Sequence, residues 1–284
     1  MIEYTYDGTL EGLFAVLDRI YRSPAPEAML PDHIRGPGDT SPAPSPAQPD
    51  LFGPNLFGNN PETTSGKTTH PPTAAHSPAA PYLSELSANA YEHFIHGWMS
   101  KLPIEAALIR FAWKVLAAGR SAPGGIKSPE ARDAAEAAAA DRGDPDVRTV
   151  LTAAYKVWKE LDRLRGLLRF SPAPSGIHIA RCKADHYVLP GLAGHFTLRF
   201  GETPWAIIDE RRGLALVRSV GEDARIVPLE DLPHSIAVPG HDDPWEELWK
   251  NYHRVVANES RINPQLQRQF MPKRYRKYLP ELTE

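Results

Sequence analysis

One cysteine, Cys182, stands in a chain of 284 residues. A single thiol excludes an internal disulfide framework, a Cys-rich zinc module and a Cys-ligated iron–sulfur cluster, and it points to a reducing, cytoplasmic setting, with association with the nucleoid an open possibility. Long apolar runs are missing as well: the longest stretch, Ile104 to Ala118, is interrupted by Glu105, Arg110 and Lys114. Nothing approaches the roughly 18–20 apolar residues that cross a bilayer, and the opening Met1-Ile2-Glu3-Tyr4 carries neither a basic leader nor an apolar signal core. Bulk charge of one sign is absent too. With 32 Lys+Arg against 35 Asp+Glu the formal net charge is -3, so any basic site for nucleic acid has to be a local patch. No His-Glu-x-x-His, paired-carboxylate or two-His metal spacing occurs, and neither a metal nor a cofactor is expected.

Proline is plentiful and uneven. Fourteen of the 29 prolines fall between Ser23 and Pro81, where most other residues are Ala, Ser, Thr, Gly and Asn. Such a segment has too little apolar surface to offset its ordering entropy and reads as a disordered insertion with polyproline II character. The chain therefore divides into an N-terminal strand–helix (1–22), this insertion (23–81) and a main α+β domain with a basic tail (82–284).

Within the folded parts, Ile2 to Tyr6 reads as a strand and Thr9 to Tyr21 as an amphipathic helix with Thr9 as its cap. Helical spacing resumes at Tyr82 and continues through Lys101–Ala118, an Ala/Glu-rich helix at Pro129–Ala140 with little core face, and Pro145–Gly166. The pattern then turns to period 2. Leu167–Phe170, Ile177–Cys182, His195–Phe200, Trp205–Asp209 and Leu214–Val220 read as short strands parted by Pro/Gly turns, which suggests an antiparallel meander. A helix from Pro244 to about Asn258 follows, its stripe of Trp245, Leu248, Trp249, Tyr252 and Val256 expected to enter the core, and then a short helix after Asn263-Pro264. The fold class is α+β, an antiparallel sheet of about five strands packed by helices.

Three groups of residues carry chemistry. If His195–Phe200 is a strand, His195, Thr197 and Arg199 share one polar face, and Asp185, His186, His195 and Asp209 are candidates for an acid–base set acting on nucleic acid. Whether the chain is an enzyme stays open. Inside the insertion, Gln48-Pro49-Asp50-Leu51-Phe52 is similar to the Gln-x-[Ser/Asp]-Leu-Phe peptides that dock on the bacterial replication sliding clamp. Gln48 and Asp50 supply its polar positions, and Leu51 and Phe52 the apolar anchor. The C-terminal stretch Arg261 to Tyr278 holds six basic residues and no acid: Arg261, Arg268, Lys273, Arg274, Arg276 and Lys277. Tyr275 and Tyr278 are interleaved with them. This reads either as a phosphate-contacting patch, extended by Arg199, or as a clasp whose cations meet acids elsewhere in the chain.

The ending Met271-Pro272-Lys273-Arg274-Tyr275 through Leu279-Pro280-Glu281 resembles the Met-Pro-x-Arg-Tyr-x-x-x-Leu-Pro-Glu signature of the bacterial domain-of-unknown-function 4130 family. Further blocks agree: Tyr6-Asp7-Gly8-Thr9-Leu10, Gly166-Leu167-Leu168-Arg169-Phe170, Ala184-Asp185-His186-Tyr187-Val188-Leu189-Pro190, and Trp205 to Arg212. Where the family often carries Glu-x-His-Arg, this chain has Glu160-Leu161-Asp162-Arg163, so no role of that histidine transfers. The resemblance implies a DNA metabolism or repair context, with DNA and a radical S-adenosylmethionine protein as partners. It also implies kinship with domains fused to uracil-DNA-glycosylase-like modules. It supplies no catalytic residue.

Overall fold

Thr9 precedes an apolar-periodic run, and its hydroxyl accepts the amide of Gly12 at 2.9 Å, satisfying one of the open donors at the helix start. The helix it opens, α1 (Leu10–Tyr21), buries Leu10, Leu13, Phe14, Leu17 and Ile20, the face that the spacing predicts. In the computed structural model, which describes residues 2–36, 79–173, 175–232, 244–261 and 263–282, the chain forms two units. One holds the described residues up to Trp158, the other those from Lys159 on.

The first unit is mainly helical. Strand β1 (Glu3–Thr5) precedes α1, and β2 (His33–Arg35) pairs with β1 in parallel. Residues 24–36 thus belong to the fold, although their composition suggested an insertion without structure. Long-range bonds override that local bias: the amide of Asp32 reaches the carbonyl of Ile2 at 2.9 Å, and the Tyr4 hydroxyl donates to the Met29 carbonyl at 2.9 Å. Residues 37–78, with the expected clamp-like peptide Gln48, Asp50, Leu51 and Phe52, lie outside the described residues.

Four helices follow: α2 (Ala79–Leu86), α3 (Ala88–Trp98), α4 (Glu105–Ser121) and α5 (Pro129–Ala140). The Ser87 side chain caps α3 through the amide of Ala90. Phe14 and Phe94 stack at 4.8 Å in the core. Helix α5 has a core face after all, because Ala131, Ala135 and Ala139 recur every four residues and are buried. Alanines at that spacing let α5 lie close along α4. The next helix, α6 (Pro145–Leu167), begins where the Asp144 carboxylate accepts the amides of Asp146 and Val147. It is tied to α4 by Arg110–Asp146 and Lys114–Asp146 pairs, both at 2.8 Å. The residues of α6 up to Trp158 belong to the first unit and those from Lys159 to the second.

The second unit is built on a five-stranded, mostly antiparallel sheet in the order β3 (Ser171–Pro172), β4 (His178–Cys182), β5 (Trp205–Asp209), β6 (Leu214–Arg218), β7 (Arg225–Pro228). One pairing differs from the expected meander: β4 and β5 run parallel. A parallel pair needs a crossover, usually a helix, and that crossover is α7 (Leu189–Phe200), the segment whose last six residues read as a strand. The alternation of His195–Phe200 was coincidental. Leu189, Leu192 and Phe196 at i, i+3 and i+7 are buried, while Leu198 is 75% exposed. Leu167 likewise ends α6 rather than starting a strand. Every residue of β5 and β6 is buried, the mark of central strands covered on both faces. Ile179, Ile208, Ala215 and Val217 form one cluster with Leu232. Among the other aromatics, Phe196 and Phe200 of α7 meet Trp205 at 6.1 and 6.4 Å.

The chain continues with α8 (Pro244–Val256), α9 (Pro264–Phe270) and α10 (Lys273–Arg276). Asn263 caps α9 through the amide of Leu266 at 3.0 Å. The stripe on α8 that was expected to be core is open to solvent at its described positions: Leu248, Tyr252 and Val256 are exposed by 55–58% and Trp249 by 38%. No helix among the described residues is long and apolar enough to cross a membrane.

Candidate functional site

Glu160 lies on α6 between Val157 and Leu161, both fully buried. A carboxylate at that position needs strong partners, because an unpaired buried charge is very costly. It has four. One oxygen accepts the amide of Asp185 at 3.0 Å, a guanidinium N–H of Arg274 at 3.0 Å and the Tyr275 hydroxyl, and the other accepts the amide of His186 at 2.8 Å. Arg274 also reaches Asp185, whose other oxygen meets Arg211 at 2.9 Å. Burial works against the charge on Arg274, but Tyr275, Glu160 and Asp185 together hold its pKa above the usual value. Burial and the Glu160 carboxylate push the Tyr275 hydroxyl far up, so it stays a donor.

The same pattern extends along the C-terminal segment. Glu210 accepts Lys277 at 2.8 Å and Tyr278 at 2.6 Å. Its burial favours the neutral acid, yet these two bonds hold it below the ordinary carboxylate value. Burial and the bond to Glu210 push Tyr278 up to about 12. Glu281 pairs with Arg169 at 2.7 Å, and Leu279 is fully buried. Asp209, also fully buried, pairs with Arg212, which donates to the carbonyls of Ala184 and Asp185. The thiol of Cys182 is pushed well up by burial and by the nearby Asp209 and Glu160 charges, which leaves it an unreactive neutral group. Each end of the 183–187 loop is thus fastened by a charge from another element.

The expected acid–base set is only partly assembled. Asp185 and Asp209 share Arg212 as a common donor, and His186 is buried beside them with its amide on Glu160. Both carboxylates are engaged by arginines. His195 sits on α7 instead, where burial and the charges of Arg165 and Arg199 lower its pKa. Among the described residues no hydrogen bond joins it to the other three. Nor do the described residues hold a group of three or more His, Cys, Asp or Glu placed to share a metal ion.

In the basic tail, Arg274 and Lys277 are paired with acids, which is the clasp arrangement. Tyr275, at 2% exposure, is closed to stacking. Arg261, Lys273 and the α7 residue Arg199 are exposed and have no acidic partner among the described residues. Arg276 is half-buried, and its Nε and one Nη are shielded from solvent without a protein acceptor. The side chain of Arg268 lies outside the described set. Residues 130–281 match the family model described as Domain of unknown function (DUF4130). The chain belongs to the DUF4130 family. No curated protein and no solved structure matches it.

Most blocks that carry the DUF4130 resemblance supply these pairs, at Arg169, Asp185-His186, Asp209 to Arg212 and Arg274 to Glu281, while Tyr6 to Leu10 lies in the first unit and takes no part in them. Sequence reading did not single out Glu160. The available signal was a charged residue on the apolar stripe of a long helix, flanked by Val157 and Leu161.

Proposed function

We propose that this DUF4130 chain is a DNA-binding accessory protein of a bacterial repair or modification system, acting beside a radical S-adenosylmethionine protein. The Glu160 network holds the tail in place, and Arg261, Lys273 and Arg276, with Arg199, contact phosphates. Arg274, Tyr275 and Lys277 act as positioning residues. One observation supports the reading: Arg261, Lys273 and Arg199 are exposed and have no acidic partner among the described residues. A phosphate oxygen is a natural acceptor for an exposed guanidinium or ammonium group. The enzyme alternative has less support, since Asp185 and Asp209 are engaged by arginines and His195 stands apart from them.

The test is fluorescence anisotropy on labelled single- and double-stranded DNA across a salt series. Each lost phosphate contact lowers the log–log salt slope by about 0.7–0.9. A Lys273→Gln/Arg276→Gln variant is therefore expected to lose between one and two units of slope while melting like the parent. An unchanged slope, or no binding by either protein at low salt, overturns the reading. Binding of a peptide spanning Gln48 to Phe52 to a sliding clamp tests the clamp partner separately.

A second reading, a protein–protein adaptor, is favoured by α8. Leu248, Tyr252, Val255 and Val256 repeat at i, i+4, i+7 and i+8 on its exposed face, the pattern of a helix laid into an apolar groove. Under it, Leu248→Glu/Tyr252→Glu abolishes copurification with the radical S-adenosylmethionine partner and leaves DNA affinity unchanged.

A further inference from the structure

The first unit has a concavity of its own, with a volume of about 760 Å³, within the range of small-ligand sites. Its walls come from α3, the α5–α6 connection and α6. Along α6, Arg148, Tyr155 and Trp158 are spaced at i, i+7 and i+10, so they follow one side of the helix over two to three turns. Tyr155 and Trp158 are 57% and 45% exposed. Their rings stack, with centroids 6.0 Å apart and planes at 21°. Two large aromatics lying nearly parallel at the edge of an open cleft form a platform for a third flat ring.

The polar groups are grouped away from that platform. Arg148 donates to the carbonyl of Arg142 at 3.1 Å, which draws the two arginines together, and neither guanidinium pairs with an acid among the described residues. Across the cleft on α3, His93 has its Nδ1 shielded without a hydrogen-bond partner. Burial first, and the Arg142 charge after it, keep His93 below its ordinary pKa despite Glu136 nearby, so a neutral imidazole faces the cleft. Glu92 supplies the one acidic wall.

We propose that this cleft binds a nucleotide. The nucleobase stacks on the Tyr155–Trp158 pair, its phosphate meets Arg142 and Arg148, and His93 forms part of the opposite wall. Tyr155 and Arg148 lie roughly 10 Å apart along the helix axis, a gap that an arginine side chain and a ribose 5′-phosphate bridge together. The chemistry suits a free mononucleotide or one unpaired nucleotide of a strand. This site is independent of the tail reading, because every residue in it belongs to the first unit.

The test uses the full chain, with calorimetric titration of adenosine 5′-monophosphate and of adenosine, and anisotropy with a labelled oligothymidylate. Trp158→Leu is expected to weaken binding about tenfold or more, the size of one lost stacking contact, and Trp158→Phe to restore most of it. Arg142→Gln/Arg148→Gln is expected to erase the preference for the monophosphate over adenosine. The Lys273→Gln/Arg276→Gln protein is expected to keep its affinity for the monophosphate, which separates this site from the tail. Binding of the monophosphate identifies a free nucleotide as the ligand, and Trp158-dependent binding of the oligothymidylate alone identifies a strand. No binding of either probe at millimolar concentration, or binding that Trp158→Leu leaves unchanged, overturns the proposal.

Discussion

Arginine and tyrosine meet in two places in this chain and are used in opposite ways. In the second unit, Arg274 and Tyr275 are turned inward onto Glu160, where every charge has its counter-charge and the tyrosine is closed to solvent. In the first unit, Arg148 and Tyr155 face outward, the ring exposed and the cation free of any acid among the described residues. The inner cluster costs a great deal to break, because its charges are paired with one another. The outer one adds little to stability and is available to a ligand. Residue type alone does not separate the two; what separates them is whether an acid lies within reach in the fold.

The contrast is most sharply broken at Glu160. Glu160→Ala leaves the Asp185 and His186 amides and the Tyr275 hydroxyl without their acceptor and Arg274 with Asp185 alone, and is expected to cost about 3–5 kcal/mol, read as a lower urea midpoint. Tyr275→Phe removes one hydrogen bond to that carboxylate and is expected to cost about 1.5–3 kcal/mol. In the first unit, Ala135→Leu forces three extra carbons between α4 and α5 and is expected to cost about 1–3 kcal/mol. Acid acts on the first unit through the ion pairs between α4 and the start of α6. Burial favours protonation of the Asp144 and Asp146 carboxylates, but Lys114 and the amides of Val147 and Asp146 hold Asp144 below 3.8, and Arg110 and Lys114 hold Asp146 below it. Their contribution is therefore complete above that value and is lost as pH falls from it through the lower folded-state value. Asp146→Asn should flatten the acid limb of a melting-temperature profile. At the small end, Trp158→Leu and Lys273→Gln are expected to change stability by less than about 0.5 kcal/mol, while moving nucleotide and DNA affinity respectively.

Much of the architecture was legible beforehand. Thr9 caps the helix it precedes, a short helix follows Asn263-Pro264, and the strands at Ile177, Trp205 and Leu214 stand where their period-2 patterns put them. The failures have physical causes. His195–Phe200 alternates like a strand over six residues, but the wider Leu189, Leu192, Phe196 spacing is helical, and the parallel β4–β5 pair requires a crossover there. The α8 stripe has the composition of a core face without a described element covering Leu248, Tyr252 or Val256. Residues 24–36 have the composition of a linker, yet they pair with β1. The basic tail was visible as a run of charge, but not how its charges are divided.

Local sequence determined the helix starts, the periodicity of most elements, the α+β class and the family, since each rests on residues a few positions apart or on motifs read in order. The tertiary structure decided which charges are neutralised. Arg274 meets Glu160 across 114 positions and Lys277 meets Glu210 across 67, whereas Arg276, between them, meets no acid among the described residues. An ion pair falls off within a few ångströms once water intervenes, so only the folded path of the chain determines which cations are paired and which remain open to a ligand.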